Sequence, residues 1–114
     1  MVKVMACLKR KAGMSEEEFH RYWKDVHGPM VNGVPEFMRY VRKYVQSHTI
    51  SPTLPGVSLP PVPYDGVAEL WFDSLDDVAK AYSEPRCVNL LTPDWDNFFD
   101  VRGSLFFVVE EVVM

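Results

Sequence analysis

Between Ser104 and Val113 the apolar residues fall on both sides of an extended chain: Phe106, Val108 and Val112 on one, Leu105, Phe107, Val109 and Val113 on the other. Successive side chains of a strand point to opposite faces. A strand apolar on both faces belongs in a sheet that meets water on neither. At 114 residues the chain holds a single domain, 1–114, which on its own buries roughly two thirds of its unfolded surface. What covers each face of this sheet is therefore the first thing the fold must solve.

The preceding segments supply one cover. Val2 to Leu8 alternates as a strand, with Val2, Val4, Ala6 and Leu8 on its apolar face. Ser15 and Glu18 have the spacing of a capping box, and Met14 and Phe19 that of a hydrophobic staple. Phe19, Tyr22, Trp23 and Val26 then recur at helical spacing, and Gly28-Pro29 is expected to end the helix. Residues 37–50 read as a long strand. Five prolines between Ser51 and Pro63 exclude that stretch from a sheet. Val67 to Phe72 reads as a third strand, followed by a helix from Ser74 to Pro85 with Leu75, Val78, Ala79 and Tyr82 turned inward. Thr92-Pro93-Asp94 opens a short helix carrying Trp95, Phe98 and Phe99. The order βαββαβ predicts an α+β, ferredoxin-like domain: a four-stranded antiparallel sheet with both long helices on one face. A second copy of the chain is the simplest cover for the other, which makes a homodimer the expected assembly.

Several function classes are disfavoured. A net charge of −4, with no concentrated basic face, argues against nucleic acid. No apolar run approaches a membrane span, and no leader-like segment opens the sequence, so the cytoplasm is the expected location. Cys7 and Cys87 match no metal spacing and suit a reducing compartment as small packed thiols. His20 and His27 stand seven residues apart, about 10 Å along a helix, too far to share one ion. No phosphate loop, dinucleotide fingerprint or Gly-x-Ser-x-Gly is present. No metal or organic cofactor is expected.

The stretch Leu8 to Val31, and within it Ser15 to Pro29 with Phe19, Tyr22-Trp23 and His27-Gly28-Pro29, resembles the opening of the EthD family of the dimeric α+β barrel superfamily. Tyr44-Val-Gln-Ser-His48 and Asp65-Gly-Val-Ala-Glu-Leu-Trp71 resemble its central strands, so the resemblance spans nearly the whole chain. It implies a homodimer whose sheets close into a barrel, with a cavity between sheet and helices in each protomer. Relatives include lactone isomerases and polyketide decarboxylases, dehydratases and cyclases, many of them without metal or organic cofactor.

Three residues are the catalytic candidates: His27, His48 and Glu69. His27, at the margin of the first helix's apolar face, is suited to proton transfer near neutral pH; its plainer role is a hydrogen bond to carbonyls of the last helical turn. Antiparallel pairing across the Pro-rich loop is expected to set Gln46 opposite Glu69 and Tyr44 opposite Trp71, gathering His48, Gln46 and Glu69 on one surface. The plainer reading of that cluster is a buried polar network in the barrel. Tyr22, Trp23, Tyr44, Gln46 and Trp71 are expected to shape a substrate pocket, with Tyr64 and Asp65 at its mouth. His20 is expected at the surface, and Asp94 and Asp96 read as favourable charge at a helix start. The expected function is cofactor-independent acid/base chemistry (decarboxylation, dehydration, cyclisation or isomerisation) on a small aromatic, polyketide-like or lactone substrate. The alternatives are a non-catalytic ligand-binding accessory of an oxygenase system, and an oxidoreductase on the same barrel.

Overall fold

The computed structural model describes residues 1–114. Its four strands are β1 (Val2–Leu8), β2 (Val41–His48), β3 (Gly66–Phe72) and β4 (Leu105–Glu110). They form one antiparallel sheet in the order β2-β3-β1-β4. This is the expected ferredoxin-like arrangement. Val4, Ala6 and Leu8 of β1 share one face with Ala68, Leu70 and Phe72 of β3, and all six are buried beneath the helical layer.

The first helix starts where its capping residues place it. In α1 (Glu16–Tyr22) the Ser15 hydroxyl accepts the Glu18 amide at 3.1 Å. The return bond from the Glu18 side chain is not formed, so only half of the capping box exists. Gly28-Pro29 does not end the helix. The chain passes through a π-turn, Trp23–His27, directly into α2 (Gly28–Asn32), with the Gly28 amide reaching back five residues to the Trp23 carbonyl. A proline has no N–H to donate and its ring crowds the carbonyl four residues earlier; the wider π-turn makes room for Pro29 without breaking the helix. The extra residue also rotates the later part of the helix, so Val26, expected inside, lies outside at 41% exposure while His27 is buried at 6%.

The long strand expected over 37–50 is shorter. Pro35–Met38 forms a helical turn, α3, which buries Phe37, and β2 begins only at Val41. An irregularity between Val41 and Lys43 sets its register. Gln46 pairs with Ala68 and Tyr44 with Leu70, not with Glu69 and Trp71 as expected. A one-residue slip moves every side chain to the other face. Tyr44, Gln46 and His48 therefore look toward the helices, and Glu69 and Trp71 look away. The final strand likewise stops at Glu110, leaving Val112 and Val113 exposed beyond it.

In α4 (Leu75–Ser83), capped by Ser74 on the Asp77 amide, Ala81 and Tyr82 face inward, whereas Leu75 and Ala79, expected inside, are exposed. A second π-turn, Cys87–Leu91, runs into α5 (Thr92–Asp94) and a 3₁₀ turn, Trp95–Asn97. Here too the residue before a proline, Thr92, closes the wide turn through its amide on the Cys87 carbonyl. Phe98 and Phe99 come next, fully buried and held against β1 by hydrogen bonds from Lys11 to Phe98 and from Asp100 to Lys9.

The second sheet face carries Met5 and Cys7 of β1, Val67, Glu69 and Trp71 of β3, and Leu105, Phe107 and Val109 of β4. Leu105 and Phe107 are 48% and 46% exposed. The double-sided apolar character of β4 is thus left uncovered by the chain itself.

Phe72, with no exposed surface, pairs with Val41 across the sheet and packs against Tyr82. Phe72→Ala should cost about 3–5 kcal/mol, read as a lowered urea midpoint with unchanged slope. A loss below about 1 kcal/mol would mean that the helical layer packs elsewhere.

Candidate active site

Ala6 and Ala68 are direct cross-strand neighbours in the middle of the sheet. Their short side chains leave space beneath the helices that Leu or Val would fill. That space is a cavity of about 50 Å³ walled by both alanines, Trp23, Phe37, Tyr44, Leu70, Tyr82, Leu91, Trp95, Phe98 and Phe106, with His27 at its edge.

The two π-turns bring the cavity's ionisable pair together. His27, the last residue of the first, hydrogen-bonds through Nδ1 to Asp94 Oδ2 at 2.7 Å. Asp94, three residues past the second, is 5% exposed. Its other oxygen accepts the Tyr22 hydroxyl at 2.5 Å and the Asn97 amide at 2.9 Å. Burial pulls the Asp94 carboxyl upward, but the bonds from Tyr22, Asn97 and His27 together outweigh it and hold the group below its usual range. Burial also lowers His27, against the opposing pull of Asp94. The resting pair is a carboxylate beside a neutral imidazole whose Nδ1 carries the proton. Nε2 is then a free base. It makes no hydrogen bond within the chain, and no fully buried side-chain nitrogen or oxygen lacks a partner, so Nε2 opens onto accessible space.

Tyr44 supplies a donor. Its hydroxyl oxygen accepts from Gln46 Nε2 at 3.2 Å. Burial raises the phenol's pKa, while hydrogen bonds from Gln46 and Trp23 pull it down. With its oxygen occupied as an acceptor, the single O–H is free to point into the cavity. A neutral imidazole base and an oriented phenol in an apolar enclosure can remove a proton beside a carbonyl and steady the oxyanion that forms.

The other expected site residues lie elsewhere. Gln46 and His48 face the helical layer but do not line the cavity; His48 Nε2 meets Gln46 Oε1 at 3.0 Å and its Nδ1 meets His20 Nδ1 at 2.7 Å. His20, expected at the surface, is half-buried by this pairing. Burial, then the charges of His20 and Lys24, lower the pKa of His48. Glu69 sits on the opposite sheet face, 2.8 Å from Lys3 Nζ. Trp71 is beside it, its indole donating to Glu111 and its ring flanked by Lys3 and Lys43. Asp65 clamps Arg10 through backbone and guanidinium at 2.9 and 2.7 Å. With Tyr64 it lines a separate polar cleft of about 470 Å³ beneath the Pro-rich loop. Nowhere do three His, Cys, Asp or Glu side chains converge as an ion would require.

Asp94 and Asn97 are not legible as site residues in the sequence, since an acid after Thr-Pro is a normal helix start. The available signal was the repetition of a residue-Pro step, Gly28-Pro29 and Thr92-Pro93, inside helical stretches, next to a His in one case and an Asp in the other.

The EthD domain family model matches residues 11–102. The conidial pigment biosynthesis dehydratase EthD of Metarhizium robertsii is 30% identical over 102 residues, spanning 83% of this chain and 71% of its own. The decarboxylase nsrE of Aspergillus novofumigatus is 26% identical over 121 residues, spanning 94% and 76%. Among solved structures, an EthD family protein from Bacillus halodurans superimposes with a TM-score of 0.71 at 16% identity, covering 98% of this chain and 99% of that one. A dimeric protein of ferredoxin-like fold from Bacteroides fragilis gives 0.65 at 17% identity, covering 96% and 95%.

The protonation states have a readable consequence. Because the folded pKa of His27 is depressed, the unfolded chain binds the proton first as pH falls. Stability is therefore full above about 6.5 and declines as pH drops through that value toward the folded pKa. Asp94 adds a loss of the same sign below 3.8. A chemical-shift titration should place the His27 midpoint below 6.5, and Asp94→Asn should move it lower still, since burial remains and the carboxylate's pull is gone. A rise on that substitution would contradict the pairing.

Proposed function

This chain belongs to the EthD domain family, and we propose that it is a lyase-type enzyme that eliminates water or carbon dioxide beside a ketone of an aromatic, polyketide-like substrate, with its own side chains as acid and base. The observation that carries the reading is His27, its Nδ1 held by a buried carboxylate and its Nε2 unpartnered at an apolar cavity. The dehydratase and decarboxylase names of its relatives support the same class of reaction.

In a dehydration, His27 Nε2 takes the proton from the carbon beside the carbonyl. The electron pair moves onto the carbonyl oxygen, where the Tyr44 O–H stabilises it, and Asp94 stabilises the imidazolium. As the double bond forms, the β-hydroxyl leaves with the proton returned by His27. Decarboxylation of a β-keto acid passes through a like enolate: His27 Nε2 takes the proton of the carboxylic acid, the carbon–carbon bond to the carboxylate breaks, carbon dioxide departs, and His27 returns that proton to the enolate carbon. His27 thus serves both reactions.

The size of the cavity narrows how a substrate enters. A cavity that accepts one benzene ring is on the order of 150 Å³, against about 50 Å³ here. Next to it lies an apolar surface groove of about 390 Å³, lined by Val4, Val78, Phe107 and Val108 and sharing Tyr82, Trp95 and Phe106 with the cavity. Trp95 and Phe106 stack at 5.0 Å to form the partition. One sits on a 3₁₀ turn and the other, 41% exposed, on an edge strand. A fused-ring substrate would part it, its reactive end toward His27 and its remainder in the groove.

The functional unit is proposed to be a homodimer, joined through the face that carries Leu105, Phe107 and Val109. The exposed apolar surface there supports it. So do the proteins of like fold from Bacteroides fragilis and Thermobifida fusca, both described as dimeric.

With a fused-ring β-hydroxy ketone as probe, His27→Ala should cut turnover by about 10²–10⁴-fold with the fold intact. Tyr44→Phe should lower it less. An unchanged rate in His27→Ala would remove this mechanism. Sedimentation should show a dimer at micromolar concentration and a shift toward monomer for Phe107→Glu; a wild-type monomer would refute the assembly.

A further inference from the structure

Gly28 lies in ordinary right-handed helix, φ −56° and ψ −53°, a conformation alanine adopts with the better propensity of the two. Space, not backbone freedom, explains the glycine. A Cβ at this position would lie 2.7 Å from Gln46 Nε2. That amide reaches over Gly28 from β2 to donate to the Trp23 carbonyl at 2.8 Å. The same carbonyl accepts the Gly28 amide and so defines the π-turn. In a regular helix it would instead take the His27 amide, and the phase that puts His27 inside and Val26 outside would be lost.

The amide's orientation is settled by its partners. Gln46 Nε2 faces two oxygens, the Trp23 carbonyl and the Tyr44 hydroxyl. Its Oε1 must therefore accept, which places a proton on His48 Nε2. Neutral His48 then accepts at Nδ1 from His20. The result is a directional chain from the half-buried His20 to the Trp23 carbonyl and the Tyr44 hydroxyl.

We infer that Gln46, given clearance by Gly28 and oriented by His48, is a positioning residue that holds the π-turn open and aims both His27 and Tyr44 into the cavity. None of Gln46, His48 and His20 lines that cavity, so they act through others. The inference rests on the proposed role of His27, and its principal readout is independent of turnover.

The experiment monitors the proton NMR signal of His27 Nδ1–H in its bond to Asp94, together with kcat and KM on the fused-ring β-hydroxy ketone. Gln46→Ala and Gly28→Ala should each shift or abolish the signal and lower kcat by about tenfold to a hundredfold, with KM little changed. The double variant should add little to Gln46→Ala alone, because the closer clash at residue 28, with Gln46 Nε2 at 2.7 Å, is then gone and only the 3.2 Å approach to the Trp23 carbonyl remains. His48→Ala, at a half-buried position, should produce a smaller change of the same kind. A Gly28→Ala protein with native signal and rate would overturn the inference, as would additive losses in the double variant. If His27→Ala keeps full activity while Gly28→Ala still moves the signal, the catalytic reading fails and the positioning role stands.

Discussion

A carboxylate persists in an apolar layer only when its oxygens are filled by donors, and the rest of the helical layer is arranged around meeting that condition at Asp94. Tyr22, His27 and Asn97 all donate to it. Two of the donors come from the first helical segment and one from the turn after Asp94 itself. The two halves of the layer, far apart in sequence, are thus joined at a buried polar point, where Phe98 packs against both Tyr22 and His27. Removing a partner from such a group leaves it to bear its desolvation alone, so the cluster makes the packing specific as well as chemically competent.

Both π-turns deliver a member of this cluster. Each accommodates a proline inside a helical stretch, and each inserts one residue relative to an α-helix. Single-turn π-bulges of this kind often coincide with functional sites. Here the reason is geometric: a helix held in strict 3.6-residue phase by Phe19 and Trp23 would put Val26, not His27, against the sheet. The bulge trades an aliphatic contact for a base at the cavity. Gln46 supplies a second donor to the carbonyl at the bulge, and the glycine beside it leaves that donor room.

Much of the architecture was legible in the sequence because local signals carried it. The Ser15 and Ser74 caps, the strand alternation of Val2–Leu8 and Val67–Phe72, and the prolines of 52–63 each describe short-range preferences that the fold respects. The double-sided apolar pattern of β4 was legible too, and the structure leaves that surface uncovered. The site was read less completely. His27, Trp23 and Tyr44 do line the cavity. Glu69 and Trp71 lie across the sheet from Gln46 and Tyr44 because the irregularity between Val41 and Lys43 turns the later residues of β2 to the helical face, whereas β3 keeps Ala68, Leu70 and Phe72 there. Asp94 looked like an ordinary helix-start acid, since its donors lie some 67 and 72 positions away.

The order of the strands and long helices and the apolar faces of β1 and β3 came from the sequence alone, since capping and strand alternation act over a few residues. Phase and register came only with the tertiary structure. One inserted residue decides whether His27 or Val26 faces inward, and one irregularity in β2 decides that Tyr44, Gln46 and His48 face the helices. No local propensity separates these alternatives. They are settled by which arrangement fills the oxygens of a buried carboxylate and the space above two small alanines.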